Sequence, residues 1–157
     1  MKIGNQWNQV KELFENAQKT GGYCSVATVN GDGFPHITPI GSLFLLEDCQ
    51  GVYWEKFPRI MKQNMEKDQR ICAMAINSSQ WYWIKSLYKG KFPFSPGIRL
   101  MGTAGKRTRA TDHETAMWQK RIRYFKWSKG YDLLWSDMKY VRQVRFDAFE
   151  PVRAGAM

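Results

Sequence analysis

The sequence predicts an α+β fold that is mainly β: an antiparallel barrel with helices filling its open side. Short β-branched and apolar stretches recur between Tyr23 and Asn77, divided by tight polar turns. A final stretch, Tyr140 to Phe149, sets Val144, Phe146 and Ala148 against Arg145 and Asp147, which is the two-residue period of a half-buried strand. Helical periods are few and flank these strands, so the layout is α+β rather than a parallel sheet.

Asn5 to Lys19 carries Trp7, Val10, Leu13, Phe14 and Ala17 at intervals of three and four, one apolar stripe along an amphipathic helix that Gly21-Gly22 ends. Tyr23 to Asn30 reads as the first strand. Asn30-Gly31-Asp32-Gly33 is a turn of residues that accept positive φ. Phe34 to Leu46 returns as one long second strand, in which Pro35 and Pro39 cannot donate to a ladder and mark places where a ligand can approach the backbone. Glu47 to Gly51 is a polar turn before the third strand, Val52-Tyr53-Trp54.

Pro58 suits the first turn of a helix running to about Asp68, with Ile60, Met61 and Met65 toward the core and Arg59, Lys62 and Gln63 on another side. Ile71 to Asn77, apolar on both faces, is a central strand. Ile98 to Arg107 is the next, with Gly102 and Gly105 inside it. Thr111 and Glu114 form a capping-box pattern that opens a helix aligning Trp118, Ile122 and Phe125.

A chain of 157 residues is expected to form one domain, 1–157, and 43% hydrophobic residues exclude a disordered one. No apolar run reaches the roughly 20 residues that cross a bilayer, and the polar N-terminus is unlike a secretion signal. A soluble cytoplasmic protein without a membrane partner is the expectation. Cys24, Cys49 and Cys72 are too scattered for a disulfide framework or zinc ribbon; the first and last read as small buried hydrophobes and Cys49 as an exposed turn residue. His36 and His113 have no partners at triad spacing and no acidic cluster, so no metal is expected.

The net charge of +10 attracts polyanions, whether nucleic acid, nucleotides or phosphorylated substrates. Much of the excess lies between Lys85 and Arg153, including Lys106-Arg107-Thr108-Arg109 and Lys120-Arg121-Ile122-Arg123, and reads equally as solvated faces. Residues 81–96 interleave Trp81, Tyr82, Trp83, Tyr88, Phe92 and Phe94 with Lys85, Lys89 and Lys91. They read as a flap on the barrel or on a dimer mate, as a substrate lid, or as a stacking surface for bases.

Chemistry is most concentrated around the helix that begins at Pro58. Arg59 and Lys62 stand one turn apart beside Lys56, so several cations meet the free N–H groups of a helix start. That combination cradles a phosphate.

The segments Ala27-Thr28-Val29-Asn30-Gly31-Asp32-Gly33-Phe34-Pro35-His36-Ile37-Thr38-Pro39, Val52-Tyr53-Trp54 and Asn64-Met65-Glu66-Lys67-Asp68-Gln69-Arg70-Ile71, in that order and spacing, resemble the FMN-binding split barrels related to pyridoxamine 5'-phosphate oxidase. The resemblance implies an antiparallel split barrel, a homodimer with cofactor sites at the subunit interface, and FMN as cofactor, with deazaflavin or haem as alternatives in similar barrels. It implies that Thr38, Pro39, Ile40 and Gly41 run beside the flavin ring, that Trp54 contacts it, and that Asn64 matches a frequent family asparagine. Lys56, Arg59 and Lys62 would hold the phosphate, although Ile60-Met61 replaces the family's Arg-Lys pair. Trp135 and Arg145, ten residues apart, match a Trp and an Arg that reach the flavin from the neighbouring subunit. Gln143 and Val141 stand where the oxidase has a substrate-binding histidine and an arginine, which argues against pyridoxamine phosphate as substrate.

The resulting expectation is an FMN-dependent oxidoreductase acting on a small molecule, with no side chain marked as catalytic because the ring carries the chemistry. Two alternatives stand beside it: a basic and aromatic barrel that binds single-stranded nucleic acid, and a flavin-binding protein without turnover.

Overall fold

In the computed structural model, which describes residues 1–153, a 3-10 turn leads into α1 (Trp7–Gly21), followed by β1 (Cys24–Val29), β2 (Pro35–Ile40), β3 (Phe44–Leu45) and β4 (Gln50–Trp54). Then come α2 (Arg59–Lys67), β5 (Arg70–Ile76), α3 (Gln80–Lys89) and β6 (Gly97–Arg109). α4 (Asp112–Ile122), a second 3-10 turn, α5 (Lys129–Leu134) and β7 (Tyr140–Val152) complete it. The strands form one sheet in the order β2-β1-β5-β6-β7-β4-β3, every neighbouring pair antiparallel.

The two edge strands are consecutive in the chain, and that closes the sheet. Laid flat, seven strands would hold β2 and β3 roughly 29 Å apart at about 4.8 Å per spacing. The chain from Ile40 to Phe44 spans at most roughly 14 Å. The sheet therefore curls until its edges meet, which is the split barrel the sequence predicts.

The single long strand expected over Phe34 to Leu46 is corrected by the same feature: it is two strands on opposite edges, interrupted at Gly41, Ser42 and Leu43. Ser42 supplies the reason. Its hydroxyl accepts from the Trp54 backbone N–H (3.2 Å) and donates to the Trp54 carbonyl (3.3 Å), tying the link to β4 in place of β1.

The α1 stripe is as expected, with Trp7, Val10, Phe14 and Ala17 buried in the main core beside Leu100, Val144 and Phe146. Its end at Gly22 has φ +76, the left-handed conformation that glycine adopts freely. The capping box is also present: the Thr111 hydroxyl accepts from Glu114 N–H (3.2 Å), and the Glu114 carboxylate accepts from Thr111 N–H (2.8 Å). Two expectations for apolar faces fail. Ile60 is 52% exposed, since α2 turns Met61, Asn64 and Met65 inward, and Phe125 is half-exposed in the 3-10 turn beyond α4.

A second apolar layer lies outside the barrel wall. Val52, Trp54 and Val141, on β4 and β7, pack against Trp118 and Ile122 of α4, with Tyr131, Trp135 and Met138 at the margin. Because Tyr53 between them belongs to the main core, β4 is buried on both faces.

An ion pair is buried beside β4 and β7. The Glu55 carboxylate accepts from Arg142 at 2.8 and 3.1 Å and from the Tyr53 hydroxyl at 3.0 Å, and Arg107 lies 3.3 Å away. Arg142 also donates to the Gly105 carbonyl (2.9 Å), which knits β4, β6 and β7 together.

Cys24 is buried as expected, while Cys72 is only half-buried. Burial pushes the Cys24 thiol from 9.0 up to about 12. The neutral thiol is favoured by the fold, so its contribution to stability is complete below pH 9 and is lost as pH rises from there toward 12, when the unfolded thiol ionises first. Urea midpoints measured across that range should converge between the native chain and Cys24→Ala. A gap that stays constant would contradict this.

Candidate functional site

Beside the link between β2 and β3 lies a cavity of about 600 Å³, within the size range of small-molecule and cofactor sites. One wall is the stretch Thr38, Pro39, Ile40, Gly41 and Ser42. The Gly41 position is tight: a Cβ there would lie 3.3 Å from the Gly22 carbonyl, and Gly22 itself lines the cavity. The opposing wall comes from the second apolar layer. Trp54 and Trp118 stack with centroids 5.5 Å apart and planes 28° apart, and Phe125 meets Trp135 edge-on at 5.3 Å. Phe57 and Pro58, which lead into α2, complete the mouth.

Arg121 brings charge into this apolar space, and sequence reasoning missed it. Its guanidinium donates to the Leu43 carbonyl (2.9 Å) and to Gln18 Oε1 (3.4 Å), and lies 4.3 Å from the centre of the Phe44 ring. Among the described residues no carboxylate pairs with it. Burial lowers its pKa from the ordinary arginine value. Arg121 is half-buried, and a cation partly withdrawn from water gains from an anion that a ligand would supply. The signal available in the sequence was slight: Arg121 sits three residues after Trp118 and one before Ile122, on the edge of the buried face of α4.

Six of the eleven residues proposed from sequence meet at the cavity: Thr38, Pro39, Ile40, Gly41, Trp54 and Trp135. Lys56, Arg59 and Lys62 stand outside its lining, at or near the mouth formed by Phe57 and Pro58. Lys56 donates to the Leu134 carbonyl (3.3 Å) and lies over the Phe57 ring; Arg59 is exposed and Lys62 half-buried. None of the three has an ion-pair partner among the described residues. α2 begins at Pro58 with no side-chain cap, leaving its first N–H groups free for an anion. Ile60-Met61 is explained in part, because Met61 is fully buried where a lysine could not be.

Asn64 and Arg145 do not meet the cavity. Asn64 is buried and donates to the Thr28 hydroxyl (3.0 Å), tying α2 to β1. Arg145 is exposed on β7, opposite Gln50 and Thr103. Gln143 is exposed as well, whereas Val141 is fully buried in the second layer. His36 is half-buried, its ring nitrogen 3.3 Å from the Thr38 hydroxyl, and His113 is exposed. Residues 81–96 contribute nothing to the cavity lining.

A closed antiparallel sheet with an aromatic-walled cavity at its split defines a split-barrel protein. The sequence matches the family described as pyridoxamine 5'-phosphate oxidase over residues 9–149, and the chain belongs to that family. No functionally curated protein matches it. Among solved structures, HupZ of Group A Streptococcus is 19% identical with TM-score 0.61, the match covering 95% of each chain. An FMN-binding protein from Syntrophomonas wolfei is 15% identical with TM-score 0.63, covering 97% of this chain and 95% of that one. HutZ, the haem storage protein from Vibrio cholerae, is 12% identical with TM-score 0.51, covering 98% and 93%. At such identities the likeness is one of fold.

Proposed function

We propose that this chain is an FMN-dependent oxidoreductase whose cofactor ring lies in the aromatic cavity and whose phosphate lies at the start of α2. The observation that carries this reading is the junction of two features. An apolar slot walled by Trp54, Trp118 and Trp135 opens beside an uncapped helix start bearing three unpaired cations. Bound FMN supplies hydride or electron transfer through its own ring. Lys56, Arg59 and Lys62 would neutralise the phosphate, the tryptophans would exclude water, and Arg121 would offer a half-buried positive charge to whatever negative charge develops on the ligand.

Flavin is favoured over haem by the donor set. The residues lining the cavity include no histidine, cysteine or tyrosine, and Met138 alone is of a type that serves as an axial haem ligand. In this reading two copies pair to place a cofactor at each interface in the cytoplasm, and the apolar surface of Phe34 and Ile37, 69% and 65% exposed, is available for that pairing. Exposed Arg145 would then serve a cofactor across the interface. With Gln143 and Val141 in the places of the oxidase's histidine and arginine, the substrate is a small molecule other than pyridoxamine phosphate.

Titrating the apo-protein with FMN should quench flavin fluorescence at saturation. The Arg59→Ala/Lys62→Ala variant should weaken binding at least tenfold, about 1.4 kcal/mol. Unchanged affinity in that variant would overturn the phosphate assignment, and an absence of binding by the native chain would overturn the whole reading. A non-catalytic carrier would hold FMN but fail to bleach when nicotinamide nucleotides are added anaerobically.

A further inference from the structure

α3 is anchored along one side and bare along the other. On the anchored side the Tyr82 hydroxyl donates to the Phe94 carbonyl (2.5 Å), the Trp83 indole N–H donates to the Asn77 carbonyl (2.7 Å), and Ser86 is buried. The rings of Tyr82, Trp83, Phe92 and Phe94 pack with centroids 4.9 to 5.9 Å apart. The helix is thus held firmly while Trp81, Ile84, Leu87 and Tyr88 face outward, 80%, 57%, 62% and 92% exposed. Their spacing of three and four places them on one continuous face.

The charge around this face has one sign. Lys85 and Lys89 border it, Lys91 follows, and none of the three has an ion-pair partner among the described residues. Between Asp68 and Asp112 the chain has no acidic residue and eight basic ones. A second copy docking through the same face would set lysines against lysines, since a two-fold contact pairs a patch with itself. The complementary surface is therefore anionic.

We infer that α3 docks on an anionic phospholipid surface. Its ten residues make a rod about 15 Å long, too short to span a bilayer but able to lie along one. Trp81 and Tyr88 have the amphipathic rings that favour the headgroup region, and Ile84 and Leu87 between them offer aliphatic surface to the acyl boundary. Single-stranded nucleic acid would use the rings and lysines but gain little from those two aliphatic chains. This contact is peripheral: α3 would lie along the bilayer surface without crossing it.

The test is flotation of the full-length protein with vesicles of phosphatidylcholine alone and of equal parts phosphatidylcholine and phosphatidylglycerol. Binding should occur only with the anionic vesicles and fall at least tenfold in both Trp81→Gln/Ile84→Gln/Tyr88→Gln and Lys85→Gln/Lys89→Gln/Lys91→Gln. Both variants alter exposed side chains, and an unchanged thermal transition would show them folded. A blue shift of emission on vesicle addition, absent in Trp81→Phe, would locate the contact at α3. The inference is overturned if the native chain ignores anionic vesicles, if the apolar variant binds them as well as the native chain, or if an oligonucleotide binds through these residues while vesicles do not. It also falls if the apolar variant converts a native dimer to monomers, for the face is then covered by a second copy.

Discussion

Glu55→Ala is expected to destabilise the protein by about 3–5 kcal/mol, the range for breaking a buried ion pair by deleting one partner. The Glu55 side chain is 2% exposed and that of Arg142 5%, so neither charge can turn to water. Burial works against the charge on Arg142, but the hydrogen bonds and proximity of Glu55 outweigh it and hold the guanidinium above its ordinary pKa. Without Glu55, Arg142 keeps only the Gly105 carbonyl as an acceptor, and Arg107 loses its partner as well. Urea unfolding followed by tryptophan fluorescence measures the loss. The paired change Glu55→Leu/Arg142→Leu should recover most of it, since removing both charges also removes the cost of burying them. A loss below about 1 kcal/mol in the single variant, the size of an exposed pair, would show that the cluster is solvated and does not join β4, β6 and β7.

Gly102→Ala is expected to cost about 3 kcal/mol, the upper end for added bulk in a packed interior. A Cβ at this position would lie 1.9 Å from the Arg145 carbonyl oxygen and 2.8 Å from Phe146 Cα, both backbone atoms that cannot swing aside. The closeness arises where the β6–β7 register shifts between Met101 and Gly102. Such a bulge adds local twist, which a closing sheet requires. Gly130→Ala in α5 provides the contrast: its nearest neighbour would be 4.0 Å away, and alanine favours helix, so stability should hold or rise. Equal melting temperatures for the two variants would mean that β7 yields easily at this point.

Several elements were legible because they depend on neighbours in sequence. The stripe of α1, the capping box at Thr111 and the alternation around Val144 each follow from side chains at fixed short spacing, and each is present. The stretch Thr38 to Gly41 and Trp54 were also legible as cavity residues through the order of motifs, whereas Trp135, expected to reach a site on the neighbouring subunit, lines the cavity of its own chain. Arg121 was not legible. In the run Lys120-Arg121-Ile122-Arg123 all the cations look alike, and only the direction in which α4 packs half-buries Arg121 while Lys120 and Arg123 stay exposed. The partnership of Glu55 with Arg142 was equally hidden, because the residues are 87 positions apart and meet only when β4 lies against β7.

The amino-acid sequence by itself determined the family, the strand and helix repertoire, and the gathering of cations at the start of α2, since periodicity, caps and motif order are local properties. Tertiary structure decided that one apparent strand serves two edges of the sheet, that a 600 Å³ cavity opens where those edges meet, and that Arg121 enters it. Those outcomes depend on closure of the sheet, which brings together groups that no short-range pattern connects.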